Sequence, residues 1–500
     1  MSSPRNQHTG RHPKTGAAPT APRGRRRGTH VSARLAAAGL LAASLAVASV
    51  GLDGAPSGAA PTATDWAGYL HDAAHSSFNA SDTAITPSNA GSLAQRWTFR
   101  GDAATMTGQP GPGLFSSPTV ADGSIYVGAN NGYFYQLNAT TGAVQHKRFI
   151  GFRKAMTCEK RGFIATATVA PDPNTGVDTV YVAAPDSKLY AMSAADLSIK
   201  WTAVIDTPSS TVNDYFQWSS PTVANGKIYV GSASQCDKPL TRGAVVSFDQ
   251  ATGAEVARFY TVPSGVLGGG VWSSVAVDSD GAVYATTGTQ PANTSNRYDS
   301  VSILKLDGVT LAKLGSFTVP NAELGGDGDF GASPTIFGTH VGACNKNGLF
   351  YALNRATMTV DWKVRIGAKS NSSDPAQCSA AAIWDGTYLY MAGDPTTING
   401  VSYRGSVRRI DPATGAFLWQ RGLAASPIGS PTLNGGGVIA VGSYDPSTTA
   451  NAVTLINKST GAIIRTVDSS TSGLYFAQPV FANGWLYTSR IGGLMKAFHL

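Results

Sequence analysis

Residues able to do chemistry are few in this 500-residue chain, and several of them stand beside glycine. Asp327-Gly328-Asp329 sets two carboxylates one residue apart. A carboxylate of suitable pKa serves as a general base, whereas aspartate next to glycine is also a common turn former. Lys346 lies in Asn345-Lys346-Asn347-Gly348, where it is either a cation placed to stabilise developing negative charge or a solvated lysine in an Asn-Gly turn. Trp272 follows Gly268-Gly269-Gly270-Val271, and its indole plane could stack on a flat ligand or pack between neighbouring elements. Arg161 and Arg242 each precede a glycine; their planar forks suit a carboxylate or an ordinary surface ion pair. No Gly-x-Ser-x-Gly elbow, His-Glu-x-x-His pair or phosphate loop occurs, and the histidines, among them His71, His75, His146 and His340, show no ligand spacing.

What must position these groups is a unit of about fifty residues. Ser117-Pro118-Thr119-Val120 and Ser220-Pro221-Thr222-Val223 each open an apolar strand, a short Gly turn and then Ile-Tyr-Val-Gly. Weaker copies begin near Ala167, Val275, Pro334, Ala381, Pro431 and Pro479. A repeat of this period with Asp-Gly, Asn-Gly and Thr-Gly turns predicts four short antiparallel strands per unit, and eight anchors predict eight blades. The expected fold is all-β, an eight-bladed β-propeller. Units close on Leu137-Asn138-Ala139-Thr140-Thr141-Gly142 and its relatives, with Trp201, Trp362 and Trp419 on the strand that follows. His146 occupies the tryptophan position of the first unit and is expected to pack between blades. The last unit ends at Leu500 without a tryptophan strand, so the orphan strand Leu93–Phe99 is expected to complete it and close the ring.

Residues 1–59 read as a cleaved secretory signal, with eight basic residues ahead of an Ala/Leu/Val run and small residues before the cut; Arg25-Arg26-Arg27 could be a twin-arginine signal. Residues 60–92 form an N-terminal segment and 93–500 the propeller. Removing eight of the 38 basic and one of the 30 acidic residues leaves 30 against 29, a net charge of +1, so the basic balance belongs to the leader and nothing points to nucleic acid. A secreted, monomeric protein is expected. Four cysteines in an oxidising compartment suggest two disulfides. The sequence does not give connectivity; bridges between neighbouring blades would join Cys158 to Cys236 and Cys344 to Cys378.

From about Asp65 to Leu500 the chain resembles the quinoprotein alcohol dehydrogenases, propellers that hold pyrroloquinoline quinone (PQQ), and is most similar to the secreted polyvinyl-alcohol-dehydrogenase-like branch. The resemblance rests on Asp65-Trp66-Ala67-Gly68-Tyr69-Leu70-His71-Asp72, on Gly268–Ser274, on Asp327–Pro334 and on Asn345–Arg355. It implies that Asp329 takes the alcohol proton, with Asp327 in reserve, that Lys346 reaches the quinone oxygens, and that Trp272 lies beneath the cofactor. By the same resemblance Arg161 and Arg242 would meet cofactor carboxylates. The family's calcium glutamate falls near Asp237 or Lys238 and its asparagine at Thr289, so neither ligand is preserved; Asp237, Thr289 and Asp329 are the positions left for the ion, and Thr289 also counts among the cofactor-binding positions the resemblance implies. A hydroxyl at Thr289 replaces the family's asparagine, which leaves calcium dependent on Asp237. The substrate implied is a small or polymeric alcohol. Electrons would pass to a separate acceptor, because the chain lacks a Cys-x-x-Cys-His haem motif. The other reading is a propeller that kept its scaffold and serves as an extracellular binding or assembly platform. Gln290–Tyr298 and Pro395–Tyr403 are the loops expected to shape an entrance.

Overall fold

A computed structural model of the chain describes residues 61–154, 158–209, 214–369, 378–445, 451–470 and 476–500. The expected leader, 1–59, lies outside the described residues. Among the described residues, eight sheets each contain four antiparallel strands, and in two of them a fifth short strand, Phe78–Asn79 or Tyr215–Phe216, joins the sheet. In blade 1 the four are Thr119–Ala121, Ser124–Gly128, Tyr133–Asn138 and Val144–Phe149. Blades 2 to 7 occupy residues 168–204, 222–260, 276–318, 335–365, 383–423 and 432–470. Blade 8 takes three strands from 480–499 and its outermost from Ala94–Arg100, which pairs with Leu494–His499 in the register Trp97↔Ala497. The first and last strands of the propeller thus share one sheet, as the last unit's missing tryptophan strand implies.

The Ser-x-Thr anchor is explained by two sets of bonds between blades. The first residue lends its hydroxyl to a backbone N–H of the preceding blade. Gln478 N donates to Ser117, Ser117 N to Thr166, Thr166 N to Ser220, Ser220 N to Ser274, Ser274 N to Ser333 and Ala381 N to Ser430, all at 2.9 to 3.0 Å. Two residues on, Thr119, Thr168, Thr222 and Thr335 donate to the carbonyls of Ala167, Pro221, Val275 and Ala382 in the following blade. These bonds satisfy backbone groups that the innermost strands would otherwise bury unpaired.

The Thr-Gly turn has an equally local reason. Asn138 accepts the N–H groups of Thr140 and Thr141, and Gly142 takes φ +71°. A Cβ there would lie 2.5 Å from Trp97, whose Nε1 donates to Ala139 O. Gly253, Gly415 and Gly461 receive Trp201, Trp362 and Trp419 in the same way. Where the turn carries Leu311 or Met358 instead, at φ 55° and 57°, the facing position is Ala257 or Gly315, so bulk moves from one side of the junction to the other. His146 faces the turn that holds Leu197 at φ 59°, and it is exposed instead of packed between blades, because that turn buries Leu197 in the volume a ring would need.

The N-terminal segment makes a circuit around the inner strands at one end of the ring. Thr64 meets blade 8 at Asn483, Trp66 exchanges bonds with Val120, and the carbonyls of Ala67, Ala73, Ala74, Ser76 and Ser77 accept from Val169, Val277, Ile336, Trp384 and Leu433. Phe78–Asn79 then pairs parallel with blade 7. Tight winding is bought with positive φ at Leu70, His71, His75 and Ser77. Tyr69 rises from this circuit to Ser430 on the axis.

Candidate functional site

Two loops and one turn, from blades 4 and 5, bring the central groups together. Asn345 accepts Asn347 N in the turn between the second and third strands of blade 5, where Gly348 takes φ +82°. Its own amide donates to Gly328 O, and Lys346 N donates to Asp329 O. The turn is thereby tied to the Asp327-Gly328-Asp329 loop before any side chain is considered. Lys346 Nζ lies 2.7 Å from Asp329 Oδ1, 3.0 Å from Asp327 Oδ2 and 5.1 Å from the centre of the Trp272 ring. Trp272 Nε1 donates to Asp329 Oδ2 at 2.9 Å. One carboxylate therefore holds an ammonium on one oxygen and an indole N–H on the other.

Two glycines make room for that indole. A Cβ on Gly288 would come within 3.2 Å of Trp272 and 3.4 Å of Asp329 Oδ2, and one on Gly331 within 3.0 Å of Trp272. Burial works against the Lys346 ammonium, but Asp329 and Asp327 outweigh it and hold its pKa above the usual value, so it stays charged. Burial and then the charge of Asp329 push Asp327 up to about 6. Asp237 accepts a hydrogen bond from Thr289 Oγ1, and burial raises its pKa despite that bond.

The two arginines stand differently. Arg161 lies 4.6 Å above the Phe115 ring and pairs with the exposed Glu159. Arg242 is 3.5 Å from the Tyr260 ring centre and donates to Val262 O, so it is held at the outer end of blade 3 and the loop that follows it. Disulfides join Cys158 to Cys236 and Cys344 to Cys378. The first sets the residue before Asp237 beside a loop from the far side of blade 2.

Sequence reasoning missed a ring around Trp272. Two residues before each anchor come Phe115, Ile164, Trp218, Trp272, Gly331, Ser379, Ile428 and Phe476, and all eight line one axial cavity. Trp218 meets Trp272 edge-on at 6.2 Å and Phe476 at 6.5 Å, and Phe115 meets Phe476 at 6.4 Å. The signal was present as a constant offset from the repeat anchor.

Residues 66–298 match the family model for the glucose/ethanol/alcohol dehydrogenase β-propeller domain, and residues 403–498 match that of the outer membrane protein assembly factor BamB. Among curated proteins, quinohemoprotein alcohol dehydrogenase ADH-IIG of Pseudomonas putida is 27% identical over 36% of this chain and 23% of its own length. Lupanine 17-hydroxylase [cytochrome c] of a Pseudomonas species is 31% identical over 31% of this chain and 21% of its own. The matched stretches thus span less than a quarter of either relative. The crystal structure of quinohemoprotein alcohol dehydrogenase from Comamonas testosteroni superposes with a TM-score of 0.67 at 16% identity, covering 87% of this chain and 80% of that one. BamB from Moraxella catarrhalis superposes at 0.53 with 15% identity, covering 82% and 100%. At these identities the structural likeness is one of fold. The chain is an eight-bladed β-propeller of the PQQ type, related over residues 66–298 to the propeller domain of the quinoprotein alcohol dehydrogenases.

Proposed function

We propose that the protein is a secreted PQQ-dependent dehydrogenase that oxidises an alcohol, small or polymeric as in the polyvinyl-alcohol-dehydrogenase-like branch, to a carbonyl compound. The observation that carries this reading is the Trp272–Asp329–Lys346 constellation: a base, a cation and a flat aromatic surface joined by direct contacts. The residues fit the cofactor in donor chemistry. Trp272 offers a partly exposed indole cradled between Gly288 and Gly331, Lys346 offers a charge for quinone or carboxylate oxygens, and Arg161 offers a second. They do not make a calcium site of their own. Asp329 has both oxygens engaged and Asp237 one, leaving fewer free hard oxygens than calcium takes. No step is routed through a metal.

When bound, PQQ supplies the acceptor for the two electrons and the hydrogen that leave the alcohol carbon. Asp329 accepts the hydroxyl proton as that C–H bond breaks, and its fixed contacts keep the carboxylate aimed. Lys346 places positive charge where electron density arrives. Both electrons then leave to a separate soluble or membrane acceptor.

Titrating residues 60–500 with PQQ and following tryptophan fluorescence tests the reading. Saturable quenching is expected, weaker in Trp272→Ala and Lys346→Ala. Dye reduction with an alcohol panel, polyvinyl alcohol included, should be lost in Asp329→Asn. Absence of saturable binding at micromolar cofactor would overturn it. The match of residues 403–498 to the BamB model favours the second reading, a non-catalytic assembly platform.

A further inference from the structure

The strand that follows the Lys346 turn, Leu349–Asn354, carries Tyr351, whose side chain is fully buried yet ends in a bonded hydroxyl. Asn347 Oδ1 accepts Leu349 N, which turns the amide so that Nδ2 donates to Tyr351 Oη at 2.8 Å. With that N–H accepted, the hydroxyl gives its own hydrogen to Glu323 Oε2 at 2.7 Å. The other Glu323 oxygen accepts from Lys363 Nζ. Glu323 ends the short 3-10 turn Asn321–Glu323, and the five residues after it are Leu324-Gly325-Gly326-Asp327-Gly328. Tyr351 therefore joins the turn that holds Lys346 to the start of the loop that carries Asp327 and Asp329. At the far end of that loop its ring meets Phe330 edge-on at 6.3 Å.

Three glycines among those five residues give the loop wide backbone freedom, which has to be removed if Asp329 is to stay on Lys346. Asn345 and Lys346 grip the loop at Gly328 and Asp329, and Tyr351 adds a grip on each flank, at Glu323 and Phe330. Blade 1 has the same turn, Asn130-Asn131-Gly132, with Asn130 in the place of Lys346. There Asn131 Nδ2 donates to Tyr135 Oη at 3.2 Å, and the second recorded partner is the backbone N–H of Asp102. The asparagine–tyrosine pair is thus common to both turns, and a carboxylate joins it in the turn that carries the lysine. We propose that Tyr351, together with Glu323, is a positioning residue: it locks the Lys346 turn onto the glycine-rich loop and so holds the ammonium 2.7 Å from Asp329 Oδ1. Its bearing on catalysis rests on the dehydrogenase reading; the lock itself does not.

Hydrogen exchange of cofactor-free residues 60–500, read by mass spectrometry on the peptide bearing Asn345–Gly348, tests the lock without quinone. In Tyr351→Phe and in Glu323→Ala these amides should exchange about tenfold faster, because the turn can part from the loop. Glu323→Gln keeps an oxygen for the tyrosine and should exchange like the wild type. Tyr135→Phe removes the corresponding hydroxyl from blade 1, controls for the loss of a buried bond, and should leave the blade 5 peptide unchanged. With quinone and alcohol present, Tyr351→Phe and Glu323→Ala should each lower kcat about tenfold with little change in the alcohol KM, and the double variant should be no worse than either, since both break one link. Unchanged exchange in both single variants, or equal acceleration in Tyr135→Phe, would overturn the inference. A kcat loss shared by Tyr135→Phe would do the same. A wild type that binds no quinone would sink the dehydrogenase reading and leave the exchange result standing on its own.

Discussion

Asp327 and Asp329 are one residue apart and differ in company. Asp329 carries the indole N–H and the ammonium, while Asp327 shares the ammonium and sits near a like charge. With a pKa of about 6, Asp327 gains a proton as the medium is acidified through that value. Lys346 is then neutralised by one carboxylate instead of two. Affinity for a quinone bearing carboxylates should therefore increase between pH 7 and pH 5, by about fivefold for a partly exposed pair. Asp327→Asn should bind at the low-pH affinity throughout, with the pH dependence gone; fluorescence titrations at the two pH values decide it. A second expectation concerns Trp272→Phe, which keeps an aromatic surface and loses the N–H to Asp329. The freed oxygen leaves Asp329 less well aimed, so kcat should fall by roughly tenfold or more while the quinone Kd changes little.

Among the elements, the hydroxyl ring is broken at two junctions. Blade 6 offers Ala381 where a hydroxyl would receive Ser333 N, and blade 8 offers Gln478, whose amide turns to Ser77 Oγ and Pro431 O. Ala381→Ser should restore the first link and stabilise the fold by about 0.5–1.5 kcal/mol in urea unfolding, with the slope unchanged. This junction also shows what a sequence can reveal. The recurrence of Ser-Pro-Thr is plain and predicts the number of blades and their strands, while the missing tryptophan strand of the last unit points to Leu93–Phe99 as the closing strand, observed at Ala94–Arg100. The bonds that make Ser and Thr recur join different blades and could not be seen along one. The same holds at the site. Asp329, Lys346 and Trp272 stand out by their glycine-rich neighbourhoods and converge in space, whereas Phe115, Trp218 and Phe476 lie in otherwise dissimilar stretches and share only an offset from the anchor. Arg242 looked equivalent to Arg161 because each precedes a glycine, but Tyr260 and the Val262 carbonyl claim it. His146 misled for a related reason: the residue that decides whether a ring can dock is Leu197, in the next blade.

The whole molecule depends on a segment without a repeat. Residues 64–79 touch seven of the eight blades, which no periodicity announces, and Trp66 at their start is fully buried between blades 1 and 8. Trp66→Ala should cost about 3–5 kcal/mol although it lies outside every blade, and urea unfolding should register it. His75 belongs to the same circuit. It is 1% exposed, Nδ1 lies 3.0 Å from Pro334 O, and burial pushes its pKa down to about 4. In the unfolded chain its pKa is about 6.5, so between pH 6.5 and pH 4 the unfolded state binds the extra proton, and stability is lost as pH falls through that window. The loss from this one group approaches about 3 kcal/mol. Asp178 and Asp327, both raised to about 6, take up protons in the folded state and act in the opposite sense, so the wild-type curve alone hides the effect. The difference between wild type and His75→Gln isolates it. That difference in unfolding free energy should shrink steadily from pH 7 to pH 4, because only the wild type carries an imidazole that must stay neutral to keep the circuit closed. A difference that does not change with pH would show that His75 becomes charged in place, and that the circuit opens to water at that point.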